Sequence, residues 1–195
     1  LYIWADYSNR MILKYIAKPA TTSLIILLAL FQDPNIYDTY KILILVGLLF
    51  SLIGDIYLML PTDKFIQGLA SFLIAHILFI AAIISVFGVY LDVFLMIPAA
   101  VILILYLWIL LPKTKEFKFP VIVYALVLFV FMWQATGRFY YLAGMSSLYS
   151  FVGMVLFVVS DSILGYSRFV RNLISAKLLI HITYWGALVF LALSI

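Results

Sequence analysis

SLIGDIYLMLPTDKFIQGLASFLIAH, residues 51–76, decides how the chain folds. Two apolar segments meet at the turn Pro61-Thr62-Asp63-Lys64, and each carries a polar group that hydrocarbon penalises: Asp55 before the turn and His76 after it. A carboxylate at the centre of a membrane helix costs roughly 2.5–3.5 kcal/mol on insertion scales, so such a residue is read first as functional.

The surrounding chain supports a membrane reading. Its 195 residues are 68% hydrophobic and 10% charged, with a mean hydropathy of +1.25, far outside the range of a soluble domain. The composition predicts an all-α polytopic membrane protein. With no cysteine, disulfides and thiol chemistry are excluded. The chain has no Gly-rich phosphate loop and no G-x-S-x-G elbow, and its two histidines lack the H-E-x-x-H spacing. No metal or cofactor is expected. The net charge of +4 is distributed as a topological signal, so no nucleic-acid partner is expected.

A span needs about 20 apolar residues, and seven segments meet that measure: 19–32, 40–60, 65–87, 91–111, 119–135, 146–165 and 173–195. Residues 1–7 read as the end of an eighth, so the expected architecture is a single domain of seven to eight transmembrane helices. Arg10, Lys14, Lys18, Lys64, Lys113, Lys115, Lys118, Arg168, Arg171 and Lys177 fall on one side of this arrangement, and only Lys41 and Arg138 on the other. The positive-inside rule makes the first side cytoplasmic and puts the C-terminus outside. The joints are too short for a soluble domain, so any chemistry lies within the bundle or at its mouth.

Asp55 lies six residues before Pro61, and Asp161 seven before Arg168. At 1.5 Å per residue both sit roughly 9–11 Å inside the lysine-rich end. His181 reaches a similar level and His76 lies nearer the middle, so the four line one cavity if their helices are neighbours. An internal echo supports that grouping: Gly54-Asp55-x-x-Leu58 recurs 106 positions later as Ser160-Asp161-x-x-Leu164. Each aspartate is followed by a histidine about 20 positions on, as expected of two parallel four-helix repeats.

Two carboxylates at one depth in a low dielectric suit an acid/base pair. Asp55 and Asp161 are the candidate catalytic residues, with Ser51, Tyr57, Tyr124, Ser160, Ser162, Thr183 and Tyr184 as potential neighbours. Structural alternatives stand beside this reading. Either aspartate could pair with a buried lysine or arginine, His76 could bond across helices, and Lys18 could snorkel from a helix start or touch a lipid headgroup. At the level of function, an intramembrane aspartyl protease, a proton-coupled transporter and a lipid-binding scaffold are the rivals. The GxGD motif of the first is missing, since position 52 is Leu.

GDIYLMLPTDKFIQGLASFLIAH resembles the G-D-x-x-L … F-x-x-G-L-x-x-F-x-x-A-H segment of the lysoplasmalogenase family, which contains the bacterial YhhN proteins and the animal transmembrane protein 86 members. Lys18-Pro19, FPVIVY at Phe119 to Tyr124, LFVVSDSILGYSRF at Leu156 to Phe169, and Thr183-Tyr184 match further motifs in order. The likeness departs after Tyr184, where Gly186, Ala187 and Leu188 stand in place of the family's glutamine. The resemblance implies an eight-helix membrane hydrolase that opens the vinyl ether of a lysophospholipid substrate without a cofactor. The short loops and small size favour a bacterial inner membrane over an animal endoplasmic reticulum as its location. Asp55 and Asp161 would share the acid/base work, with the assignment between them open. His76, Tyr124, Ser160, Tyr184 and Lys18 are the expected substrate-binding residues.

Overall fold

The computed structural model describes residues 11–33, 38–171, 173 and 175–195, with side chains from Tyr15 onward. The expected helix end at residues 1–7, Arg10 and the side chain of Lys14 lie outside that description. Among the described residues seven α-helices follow one another: α1 Met11–Leu30, α2 Asp38–Met59, α3 Phe65–Phe87, α4 Val93–Leu110, α5 Lys118–Leu142, α6 Met145–Phe169 and α7 Ala176–Leu193. All but the first are long and apolar enough to cross a bilayer. The chain is an integral membrane protein.

Two boundaries differ most from the sequence expectation. The first helix begins well before residue 19 and runs through Pro19. Proline removes one backbone donor, a loss that membrane helices tolerate. α5 continues beyond residue 135 to Leu142 and stops at Ala143, whose φ of 43° is left-handed. Arg138 is therefore not a loop charge. It is fully buried.

Hydroxyls make that burial tolerable. Arg138 Nη1 donates to the Tyr40 hydroxyl at 2.8 Å and to Ser150 Oγ at 2.9 Å, and Nη2 donates to Ser146 Oγ at 2.7 Å. The guanidinium also lies 4.7 Å from the centre of the Tyr40 ring, a favourable cation–π placement. Tyr40 in turn bonds Ser194 at 2.7 Å, so α2, α5, α6 and the end of α7 are tied together at the end opposite Asp55. Lys41, the other basic residue expected on that side, donates to the Leu30 and Gln32 carbonyls at the C-terminal end of α1. A cation there meets the negative end of the helix dipole.

α2 and α3 pack most intimately, along a seam of glycines. A Cβ at Gly54 would come within 2.7 Å of the Phe72 ring, and one at Gly68 within 2.6 Å of Leu58. Small residues let helix backbones approach where no hydrophobic effect drives them together. The neighbour pattern of the other helices is cyclic. α1 packs on α2 and α5 on α6; α2 on α3 and α6 on α7; then α3 on α5 and α7 on α1. Two three-helix units thus meet in the same way twice. α4 stands outside this ring, against α5 and α6.

The lysine-rich end is closed by a cluster. Phe65 sits edge-on to Phe117 and Phe169, with centroids 6.2 and 5.6 Å apart, and Asp63 Oδ2 accepts from Arg168 Nη2 at 2.5 Å. The Arg168 guanidinium holds the Asp63 carboxyl below the usual carboxylate range. A lowered folded-state value means that the tie stabilises at neutral pH and that this stability disappears as pH falls through it. The melting-temperature difference between wild type and Asp63→Asn is therefore expected to be small and positive at pH 7, because both groups are exposed and screened, and to close on acidification below the ordinary carboxylate value of about 4.

Candidate active site

Asp55 lies on α2 about one turn before its end and is fully buried. Three donors converge on it. Lys18 Nζ from α1 is 3.0 Å from Oδ1, Thr22 Oγ1 donates to Oδ2 at 2.7 Å, and the Tyr184 hydroxyl from α7 donates to the same oxygen at 2.8 Å. Lys18 and Thr22 are four residues apart, so one face of α1 presents both. Lys18 is itself only 7% exposed. A buried charge persists when paired and hydrogen-bonded, which makes Asp55 a carboxylate clamped by a lysine and two hydroxyls. Lys18, expected at a helix start or against a headgroup, is instead a mid-helix partner of Asp55.

Asp161 on α6 is held differently. The Tyr124 hydroxyl of α5 donates to its Oδ2 at 2.6 Å, and His76 Nε2 of α3 lies 3.7 Å from the same oxygen, beyond hydrogen-bond reach. His76 is fully buried among aromatic rings, its centroid 4.4 Å from that of Phe157 and 5.5 Å from that of Tyr124. Lys18 precedes Asp55 by 37 positions, and Tyr124 precedes Asp161 by the same 37. Equivalent positions of the two three-helix units thus supply an ammonium to one aspartate and a phenol to the other.

Two cavities meet at Asp161. The first, about 830 Å³ and partly open, is walled by α3, α4, α5 and α6, with Leu69, Leu103, Leu128 and Phe129 among its apolar lining. The second, about 760 Å³, carries Lys18, Asp55, Ser160, Lys177, His181 and Tyr184. Leu58, Phe72, Asp161 and Leu164 border both. The structure thus brings Asp55, Asp161, Lys18, Ser160 and Tyr184 to the polar cavity and Tyr124 to the apolar one. His76 borders neither and packs behind Asp161. Ser160 Oγ is turned to the Ile180 carbonyl of α7 at 3.2 Å, which ties the helix of Asp161 to that of Tyr184.

Two contributors were not expected from sequence. Thr22 looks like any threonine in a membrane helix, and only the close approach of α1 to α2 brings it to Asp55. Tyr106 of α4 donates to the Ser162 carbonyl at 3.0 Å and pins the outlying helix beside Asp161. An i to i+4 pattern from Lys18 is the one signal that could have drawn attention to Thr22.

Among known proteins, the model of the YhhN family matches residues 13–195. The chain is 27% identical over 163 residues to "Uncharacterized membrane protein YhhN" of Escherichia coli, covering 83% of this chain and 76% of that protein. It is 32% identical over 146 residues to "Lysoplasmalogenase TMEM86B" of Rattus norvegicus, covering 74% of this chain and 57% of that one. It is 33% identical over 133 residues to "Lysoplasmalogenase" of Mycobacterium bovis, covering 64% and 49%. No solved structure matches.

Proposed function

The chain belongs to the YhhN family, and on that footing we propose that it is a lysoplasmalogenase-like hydrolase, cleaving the vinyl ether of a lysoplasmalogen to a fatty aldehyde and a glycerophosphoethanolamine or glycerophosphocholine. The observation that carries the reading is the placement of Asp161 where an apolar cavity meets a basic one. A single-chain lipid has that same division, with a tail, a reactive ether at the boundary and a charged head. Relatives named lysoplasmalogenase favour this over a peptidase or a transporter.

The two aspartates take different parts. A vinyl ether opens when a proton reaches the alkene carbon remote from oxygen, giving an oxocarbenium ion that water captures. Asp161, with a phenol and, among the described residues, no lysine or arginine at its carboxyl, is the proton donor. Asp55, already an anion beside Lys18, stands in the same polar cavity and stabilises the positive charge that develops on the ether. Once deprotonated, Asp161 takes the proton of the attacking water, as paired carboxylates do in glycoside hydrolysis. The hemiacetal then collapses to aldehyde and alcohol, so that alkene, ether and one water balance the two products. Tyr124 and Tyr184 orient the carboxyls, and His76 supports Asp161 from behind.

The test is turnover of a defined lysoplasmalogen by purified protein in deuterium oxide. Release of an aldehyde carrying one deuterium on the carbon next to the carbonyl is expected. Aldehyde with no deuterium there, or no release while peptide substrates are cleaved, would overturn the reading. On the same reading the protein sits in a bacterial inner membrane, with its lysine-rich end toward the cytoplasm.

A further inference from the structure

We propose that Leu58 and Leu164 are the jaws of a narrowing between the two cavities, and that they set how much bulk the protein admits at the lipid-chain carbon beside Asp161. Which carbon is held there rests on the hydrolase reading; the narrowing itself does not. Leu58 of α2, Phe72 of α3, and Asp161 and Leu164 of α6 border both cavities. Leu58 follows Asp55 by three positions, and Leu164 follows Asp161 by three. Side chains three apart share a helix face, so each leucine stands on the face of its aspartate, about 4.5 Å nearer the lysine-rich end. The two three-helix units therefore contribute one jaw each.

Packing holds one side of the passage rigid. Leu58 is seated on the backbone of α3, where a Cβ at Gly68 would come within 2.6 Å of its Cδ2 and 2.8 Å of its Cγ. Phe72, one turn further along α3, fills the space left by Gly54 and sits edge-on to Phe157 and Tyr184. Leu164 is half-buried and closes the passage from the other unit. A lipid that spans both cavities has to thread between these side chains, and proton transfer to carbon needs acid and carbon about 3–3.5 Å apart. A methyl branch on that carbon would press on the jaws. One methyl in a tight apolar site changes selectivity about 10–200-fold. The acceptor of the proton is the second carbon of the chain, so the passage favours a straight chain over one branched there.

The experiment reads binding without turnover. Saturated 1-hexadecyl-glycerophosphocholine has no alkene to protonate, and its 2-methylhexadecyl analogue differs by one methyl at the carbon in question. Each displaces tritiated straight-chain ether from purified protein in nanodiscs. Wild type is expected to hold the straight chain at least tenfold more tightly (about a tenfold ratio being the lower bound for one methyl). Leu164→Ala should bring the two lipids to near parity, whereas Leu164→Met, which conserves volume, should keep the discrimination. Leu128→Ala is the control, because Leu128 lines the apolar cavity without bordering the polar one; it enlarges the tail space and should leave the ratio as in wild type. Equal binding of the two ethers by wild type, an unchanged ratio in Leu164→Ala, the same collapse in Leu128→Ala, or no binding of the straight chain overturns the proposal. Equal binding in a protein that hydrolyses vinyl ethers would remove the jaws and leave the hydrolase standing; Leu164-dependent selectivity in one that hydrolyses none would do the reverse.

Discussion

Asp161→Asn is expected to lower vinyl ether hydrolysis by three to four orders of magnitude while the protein remains folded. General acids contribute about 10²–10⁴-fold, and the nearby Tyr124 hydroxyl is already turned toward Asp161. Asparagine keeps the shape of the side chain and still accepts from Tyr124 through its amide oxygen. Asp55→Asn is a less clean experiment. It strips Lys18 of its anion, and an uncompensated buried charge typically costs about 3–5 kcal/mol, enough to unfold many proteins of this size. Loss of activity in that variant therefore needs the companion Asp55→Asn/Lys18→Gln, which removes both charges. The check is kcat measured on protein that elutes as wild type does by size exclusion. Hydrolysis within tenfold of wild type in Asp161→Asn would remove this residue from the chemistry.

The largest structural effect is expected from Gly54→Val. The glycine adjoins Asp55, and its missing side chain is what allows the Phe72 ring to lie against α2. Three added carbons cannot be taken up by rotating a flexible chain end, because the obstacle is an aromatic ring packed edge-on to Phe157 and Tyr184 at 6.4 and 5.7 Å. Overpacking of this kind costs typically about 1–3 kcal/mol. It also pushes apart α2 and α3, the helices that carry Asp55 and His76. Thermal unfolding in detergent should show a midpoint several degrees lower and activity lost out of proportion, with Gly54→Ala intermediate. An unaltered midpoint in Gly54→Val would mean that the ring moves freely, and that close packing here is dispensable.

Much of this was legible in the chain. Asp55 and Asp161 stood out because carboxylates in apolar runs are rare, and the turn at residues 61–64 marked a helical hairpin. The 106-residue echo anticipated the cyclic packing of two units, although α4 has no counterpart among the described residues. Arg138 misled, since counting basic residues by loop treats every arginine as solvated. Its hydroxyl partners come from residues 40, 146 and 150, and nothing local announces them. Lys18 misled in a related way: proline suggested a helix start, whereas the helix runs through it and delivers the lysine to a carboxylate one helix away. The division of the interior into an apolar and a basic chamber is a property of side chains from five or more helices, so no single segment encodes it.

The equal 37-residue intervals from Lys18 to Asp55 and from Tyr124 to Asp161 bear on why one polypeptide holds both units. Two identical subunits related by a true twofold axis must give their aspartates the same companion, so both would be saturated by ammonium or neither would. Joining the halves covalently lifts that constraint, and each half can then drift on its own until one acid is paired with an ammonium and its twin with a phenol.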